Sequence, residues 1–286
     1  MKYIAKIILV GVLLVLISGC SLVKDSLEDA KVYTTIYPVK YLTKTLYKEY
    51  GEIESIYPSG TDITDYKLTN KQIDKYSKGN LFIYNGLGNE GNIAQDLVNK
   101  NKNLLIIDVA NGLRYNNDVR ELWLSPNNYL MLAKNIKDNL IEYLKNTIII
   151  DYVNKQYEKL AEDLSLKDAD LRSIGKKAAE NGKNTLIVND NTLSFLKNYG
   201  FEVIVVDEQS LSDVAFNNLK SAFSKGTYKN IIILDDYDNN RISSLINDAK
   251  ANPIRIESLT IEDSDTEADC LNNLQSFIDS IRNICS

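Results

Sequence analysis

Residues 81–108 read LFIYNGLGNEGNIAQDLVNKNKNLLIID. Leu81-Phe82-Ile83-Tyr84 and Leu104-Leu105-Ile106-Ile107 are uninterrupted apolar runs, the pattern of strands covered on both sheet faces. Gly91–Lys100 between them reads as a helix, so the stretch is a strand-helix-strand unit whose strands run parallel. Working outward, the first half adds strands at Lys31–Ile36 and Ile53–Tyr57 and helices at Pro38–Tyr47, Asn70–Lys78 and Pro126–Leu144. The second half repeats the scheme, with strands at Thr185–Asn189, Phe201–Val206, Asn230–Leu234 and Ile254–Glu257. Its helices are expected at Asn191–Tyr199, Ser212–Ser224, Asn239–Ala249 and Thr266–Asn283.

The predicted fold class is therefore α/β: two lobes, each a mostly parallel four-stranded sheet flanked by helices, joined by a long connector helix, with a ligand cleft between the lobes. The repeat is one of architecture, not of residues. In the connector, Val153, Tyr157, Leu160 and Leu164 recur at helical spacing. A break is allowed near Ser165 with a restart from Asp168, and Asp151 is a candidate cap. A helical connector favours a small rocking motion over a wide hinge.

Composition narrows the chemistry. The chain has 286 residues and is 44% hydrophobic, enough for a sizeable core. With 33 basic and 39 acidic residues the formal charge is −6, so no field favours nucleic acid. The histidine count is zero. That removes imidazole bases, Ser-His-Asp and Cys-His nucleophiles and the usual His-containing zinc sites. The three cysteines, Cys20, Cys270 and Cys285, form no CxxC pair. No enzyme is expected; a carboxylate pair such as Glu121 and Glu257 has nothing in the sequence to fix its separation or a substrate subsite.

Residues 1–20, MKYIAKIILVGVLLVLISGC, place Lys2 and Lys6 before an apolar run from Ile7 to Ile17 and small residues before Cys20. This is an export signal, too short for a comfortable membrane span. It resembles a bacterial lipoprotein leader, cut before a cysteine whose thiol then accepts lipid such as palmitate; the competing reading is an uncleaved anchor. The organisation that follows is a signal at 1–19, Cys20 and a polar leash at 20–31, a first lobe at 32–147, the connector at 148–181 and a second lobe at 182–286. The expected location is the extracytoplasmic face of the cell membrane, anchored through Cys20. Cys270 and Cys285 sit on one helical stretch. A helix between them separates the thiols by about 22 Å at its rise per residue, so they are expected unpaired.

Several phrases together resemble the zinc- and manganese-binding lipoproteins that deliver metal to ABC importers, some of which are called adhesins. They are Tyr33-Thr34-Thr35-Ile36-Tyr37-Pro38, Tyr57-Pro58-Ser59-Gly60-Thr61-Asp62-Ile63-Thr64-Asp65-Tyr66, Leu81 to Gly88, and Leu122-Trp123-Leu124-Ser125-Pro126-Asn127. Asn154, Tyr157 and Leu160, then Tyr199-Gly200, then Asp269 to Leu274 extend the likeness from Val32 onward. The resemblance implies a metal held between the lobes by histidines and carboxylate, an ABC permease as membrane partner, and a monomer.

At the four ligand positions that the resemblance implies, this chain has Thr64, Glu121, Asn189 and Glu257, with Asp190 adjacent as an alternative to Asn189. Such oxygen donors suit manganese, magnesium or calcium better than zinc. Each also has an ordinary role: Thr64 in a turn, Glu121 as a solvated charge before a strand-like Leu-Trp-Leu, Asn189 as a helix cap, Glu257 as a surface acid. Trp123 reads as packing beside the cleft. Asp235-Asp236-Tyr237-Asp238 could attract a cation but lacks the glycine of an EF-hand loop, and Glu262-Asp263-Ser264-Asp265 reads as favourable charge at a helix start. Three outcomes stay open: a retained oxygen-donor metal site, a cleft converted to another small solute or a protein ligand, and a surface interaction scaffold with an idle cleft.

Overall fold

The computed structural model describes residues 27–59, 61, 63, 66–207, 211–235, 239–260 and 269–286. The export leader, Cys20 and Thr64 lie outside them, as do Asp236 to Asp238 and the acidic run at 262–265. Among the described residues no helix is long and apolar enough to cross a membrane.

The first sheet is built from β1 (Ala30–Thr34), β2 (Gly51–Ser55), β3 (Leu81–Tyr84) and β4 (Leu105–Asp108), in the order β2-β1-β3-β4. Its pairs are all parallel, with Val32 beside both Ile53 and Leu81. Helices α1 (Tyr37–Tyr47), α2 (Asn70–Tyr76), α3 (Glu90–Lys100), α4 (Glu121–Leu124) and α5 (Pro126–Tyr143) connect and flank it. The second sheet repeats the order, β6-β5-β7-β8, from β5 (Thr185–Val188), β6 (Glu202–Val205), β7 (Asn230–Leu234) and β8 (Asn252–Ile256). A 3₁₀ segment (Asn191–Tyr199), α7 (Asp213–Ser224), α8 (Asn240–Asn247) and α9 (Cys270–Cys285) complete that lobe. The expected two-lobed α/β architecture is the observed one.

The connector α6 runs unbroken for 34 residues, Thr147–Glu180. No restart occurs at Asp168, because Ser165 lies on the exposed side while Leu160, Leu164, Leu171 and Ile174 carry a buried stripe past it. Asp151 is not the cap: Asn146 is, its side chain accepting from the Ile148 N–H at 3.0 Å. Leu122-Trp123-Leu124 is a single helical turn instead of a strand, closed by bonds such as Leu122 N–H to the Val119 carbonyl at 3.0 Å.

Alternation along the second sheet assigns its two faces. Leu186, Val188, Ile232 and Leu234 face a core that continues through α6 into the first lobe. Ile187, Ile231 and Ile233 face a separate outer core with Leu219, Phe223 and Leu245. The lobes thus share one apolar interior. Polar bonds reinforce it: Tyr37 N–H donates to the Thr260 carbonyl at 2.9 Å, and the Tyr41 hydroxyl to Asp269 at 2.7 Å. Asp269 is also the cap of α9, accepting from the Leu271 and Asn272 N–H groups. Cys270 and Cys285 are free, buried thiols at the two ends of α9; burial pushes the Cys270 thiol up to about 12, which leaves it unreactive.

Gly175 packs the connector against the second lobe. A Cβ there would stand 1.9 Å from the Tyr199 carbonyl oxygen, where the chain turns through Gly200 at φ +92°.

Candidate functional site

In open parallel sheets, ligands gather beyond the carboxyl ends of strands where the strand order reverses. Here those points lie after β1 and β3 in one lobe and after β5 and β7 in the other. Beyond the first pair lies a cavity of about 450 Å³. Ile36 and Tyr57 follow β1 and β2, Asn85 and Glu90 follow β3, and Thr260 of the second lobe closes the far side. Asp118, Arg120 and Trp123 also line it.

Glu90 opens α3 with its carboxylate buried, accepting from the Asn85 N–H at 2.6 Å. Burial pushes its carboxyl up to about 7, against the opposing pull of hydrogen bonds. Tyr57 is raised by the same loss of water and by the nearby Glu90 charge. Its ring meets Tyr66 edge-on at 5.2 Å. Trp123 is 5% exposed and its Nε1 donates to the Ser258 carbonyl at 2.7 Å, so the expected packing residue is also an interlobe tie.

Arg120 reaches from the first lobe into the second. Its Nε donates to Asp118 at 2.9 Å, Nη2 to Asp190 at 2.7 Å and Nη1 to Asp235 at 3.1 Å. Burial works against the guanidinium charge, but the hydrogen bonds of Asp118 and the charges of Asp190 and Asp118 outweigh it and hold the group more firmly protonated. The same bonds hold the Asp118 carboxyl below the usual range despite its burial. Sequence reading passed over Arg120. The available signal was a basic residue directly before Glu121 in the tryptophan phrase.

The residues singled out from sequence are placed differently. Glu121 is 2% exposed, and it is a loop clamp instead of a solvated charge. Its Oε2 accepts from the Asn116 N–H at 3.0 Å, and its Oε1 from the Asn117 N–H at 2.8 Å and Nδ2 at 3.0 Å. Asn117 in turn accepts from Asn191 Nδ2 across the lobes at 3.0 Å. Asn189 is not a helix cap; that role belongs to Asp190, which accepts from the Thr192 N–H at 2.8 Å. The Asn189 amide imitates a peptide group, accepting from the Leu234 N–H at 2.8 Å and donating to the Leu234 carbonyl at 3.1 Å. Glu257 follows β8 and is exposed. Thr64 lies outside the described residues.

As a metal cradle this arrangement fits poorly. The oxygens of Glu121 and the amide of Asn189 are already engaged, and a guanidinium stands among the cleft carboxylates. Among the described residues no group of three or more Asp, Glu, Cys or His side chains is set to hold an ion.

The engagement of Asn189 makes a direct prediction. Asn189→Ala leaves both backbone groups of Leu234 unpaired in a buried position and is expected to cost about 3 kcal/mol. Urea unfolding should show a lowered midpoint with unchanged slope; an unaltered midpoint would show that the amide does not bind the strand ends.

Two parallel-sheet lobes, a long helical connector and a cavity at their junction make up the bilobed α/β fold of solute-binding proteins. The chain matches the model of the family described as "ZnuA: Zinc-uptake complex component A periplasmic" over residues 32–284. It belongs to that family. Similar proteins include the iron-binding protein YfeA of Yersinia pestis, 26% identical over 192 residues, covering 63% of this chain and 60% of that one. The chain therefore spans less than two thirds of the length of that relative. The high-affinity zinc uptake system protein ZnuA of Bacillus subtilis is 23% identical over 309 residues, covering 94% of this chain and 93% of that one. Among solved structures, the metal-dependent lipoprotein YcdH from Bacillus subtilis superposes with a TM-score of 0.73 at 20% identity, over 89% of this chain and 98% of that one.

Proposed function

We propose that this chain is the extracytoplasmic binding component of an ABC importer, tethered through Cys20, and that its cleft receives a small polyatomic solute in place of a histidine-held metal ion. Family membership supports the transport role. The observation that carries the choice of solute is the interlobe cavity of about 450 Å³, within the span of small-molecule sites, roughly 300–1,000 Å³. A bare divalent cation needs several oxygens at about 2.0–2.6 Å, and the engaged side chains of Glu121 and Asn189 do not supply that shell. Tyr57 and Ile36 offer apolar wall, while Asn85, Glu90 and Thr260 offer polar contacts at the strand ends.

The test uses the lipid-free mature chain. Elemental analysis followed by calorimetric titration with manganese, zinc and calcium is expected to show no binding at micromolar concentration. Native mass spectrometry of protein purified without chelator is expected to show a co-purifying organic mass. Micromolar metal binding abolished by Glu121→Ala with Glu257→Ala would overturn the solute reading in favour of an oxygen-donor metal site at Thr64, Glu121, Asn189 and Glu257.

A further inference from the structure

We infer that Arg120 is the resident cation of the interlobe cleft: its guanidinium takes the place between the lobes that an imported cation would occupy, and lobe closure is built into the chain. The inference goes beyond the solute reading and holds whether or not a solute binds.

The argument rests on how the three carboxylates are held. Asp118 lies on the same loop as Arg120 and meets it with both oxygens, Oδ1 at 2.9 Å from Nε and Oδ2 at 3.2 Å from Nη2. Asp190 follows β5. Its Oδ1 accepts from the Thr192 N–H and hydroxyl, which leaves Oδ2 for Arg120 Nη2. Asp235 follows β7. Its Oδ1 accepts from the Ser258 N–H at 2.7 Å, which leaves Oδ2 for Nη1. Each second-lobe acid thus has one oxygen fixed by its own lobe and the other aimed across the gap. β5 and β7 are neighbours at the point where strand order reverses, so these two acids mark the second lobe's half of the cleft. Three carboxylates converging there need a cation. The planar guanidinium meets all three with directed N–H groups, which a point charge could not do. Asp235, read from sequence as a residue that could attract a cation, does attract one, and it is a side chain of the same polypeptide.

The experiment compares unfolding temperatures of the lipid-free chain in chelator and in millimolar manganese or calcium. The wild type is expected to melt at the same temperature in all three. Arg120→Ala should fall by about 4–8 °C in all three conditions. Arg120→Lys, which keeps a charge without the fork, should fall less. Asp235→Asn keeps an acceptor for the Ser258 N–H, and adding it to Arg120→Ala should cost nothing further. A wild type raised several degrees by millimolar manganese or calcium would overturn the inference. So would an Arg120→Ala protein that melts like the wild type, or additive losses for Arg120→Ala and Asp235→Asn. None of these melting shifts depends on a solute, so failure of the mass-spectrometric search leaves this result readable, and the reverse also holds.

Discussion

Gly175→Ala is expected to lower the unfolding temperature by about 6–12 °C. The added methyl would stand 1.9 Å from the Tyr199 carbonyl oxygen, about half a normal contact distance, and the obstacle is backbone on a tight turn instead of a flexible side-chain tip. The connector must then move away from the second lobe, loosening the bond from the Tyr199 hydroxyl to Asp168 at 2.7 Å. Overpacking of this kind costs about 3 kcal/mol, and a chain of this size loses roughly 2–4 °C per kcal/mol. Gly91 is the control. It lies in α3 with open space around the corresponding position, so Gly91→Ala should match or exceed the wild type, since alanine favours helix by about 1 kcal/mol over glycine. Equal melting of both variants would show that the connector does not press on the Tyr199 turn.

Glu90→Gln should stabilise the protein above neutral pH and leave it unchanged near pH 4. The folded carboxyl titrates at about 7, above the ordinary 4.5, because burial disfavours its charge. Between those values the folded state holds a proton that the unfolded chain has lost, so wild-type stability falls as pH rises from about 4.5 to about 7 and is lowest above it. Integrated over that window the effect is about 3 kcal/mol, taken as an order of magnitude. Glutamine keeps an oxygen for the Asn85 N–H and has no proton to lose. Chemical denaturation of both proteins at pH 4.5 and pH 8 checks this; a difference that is the same at both values would show that the carboxyl does not carry the slope.

Much of the architecture was legible because buried parallel strands leave unbroken apolar runs. Leu81–Tyr84 and Asn230–Leu234 have the expected bounds, and the others shift by one or two residues where pairing, not composition, sets the ends. The continuity of α6 past Ser165 was not legible, since a serine on the exposed side of a helix looks the same in sequence as a break. The site was read less well. Glu121 and Asn189 were identified as polar residues at informative places, but a carboxylate that clamps a loop and an amide that imitates a peptide group carry no local pattern distinguishing them from ligands. Arg120 was missed for a related reason: its partners Asp118, Asp190 and Asp235 are scattered over more than a hundred positions, and only the folded sheet edges bring them together.

The tie between Tyr41 and Asp269 spans 228 positions of sequence. Contacts so remote form late, because the intervening chain must first be ordered. A polypeptide delivered across a membrane from its amino end would therefore present α1 and the first sheet long before α9 is available to dock against them. During that interval the apolar surface destined for the shared interior stands open to water, to proteases and to neighbouring copies. Folding is accordingly most vulnerable before residue 269 has become available, and variants that weaken the docking of α9 should show their defect as a low yield of folded protein.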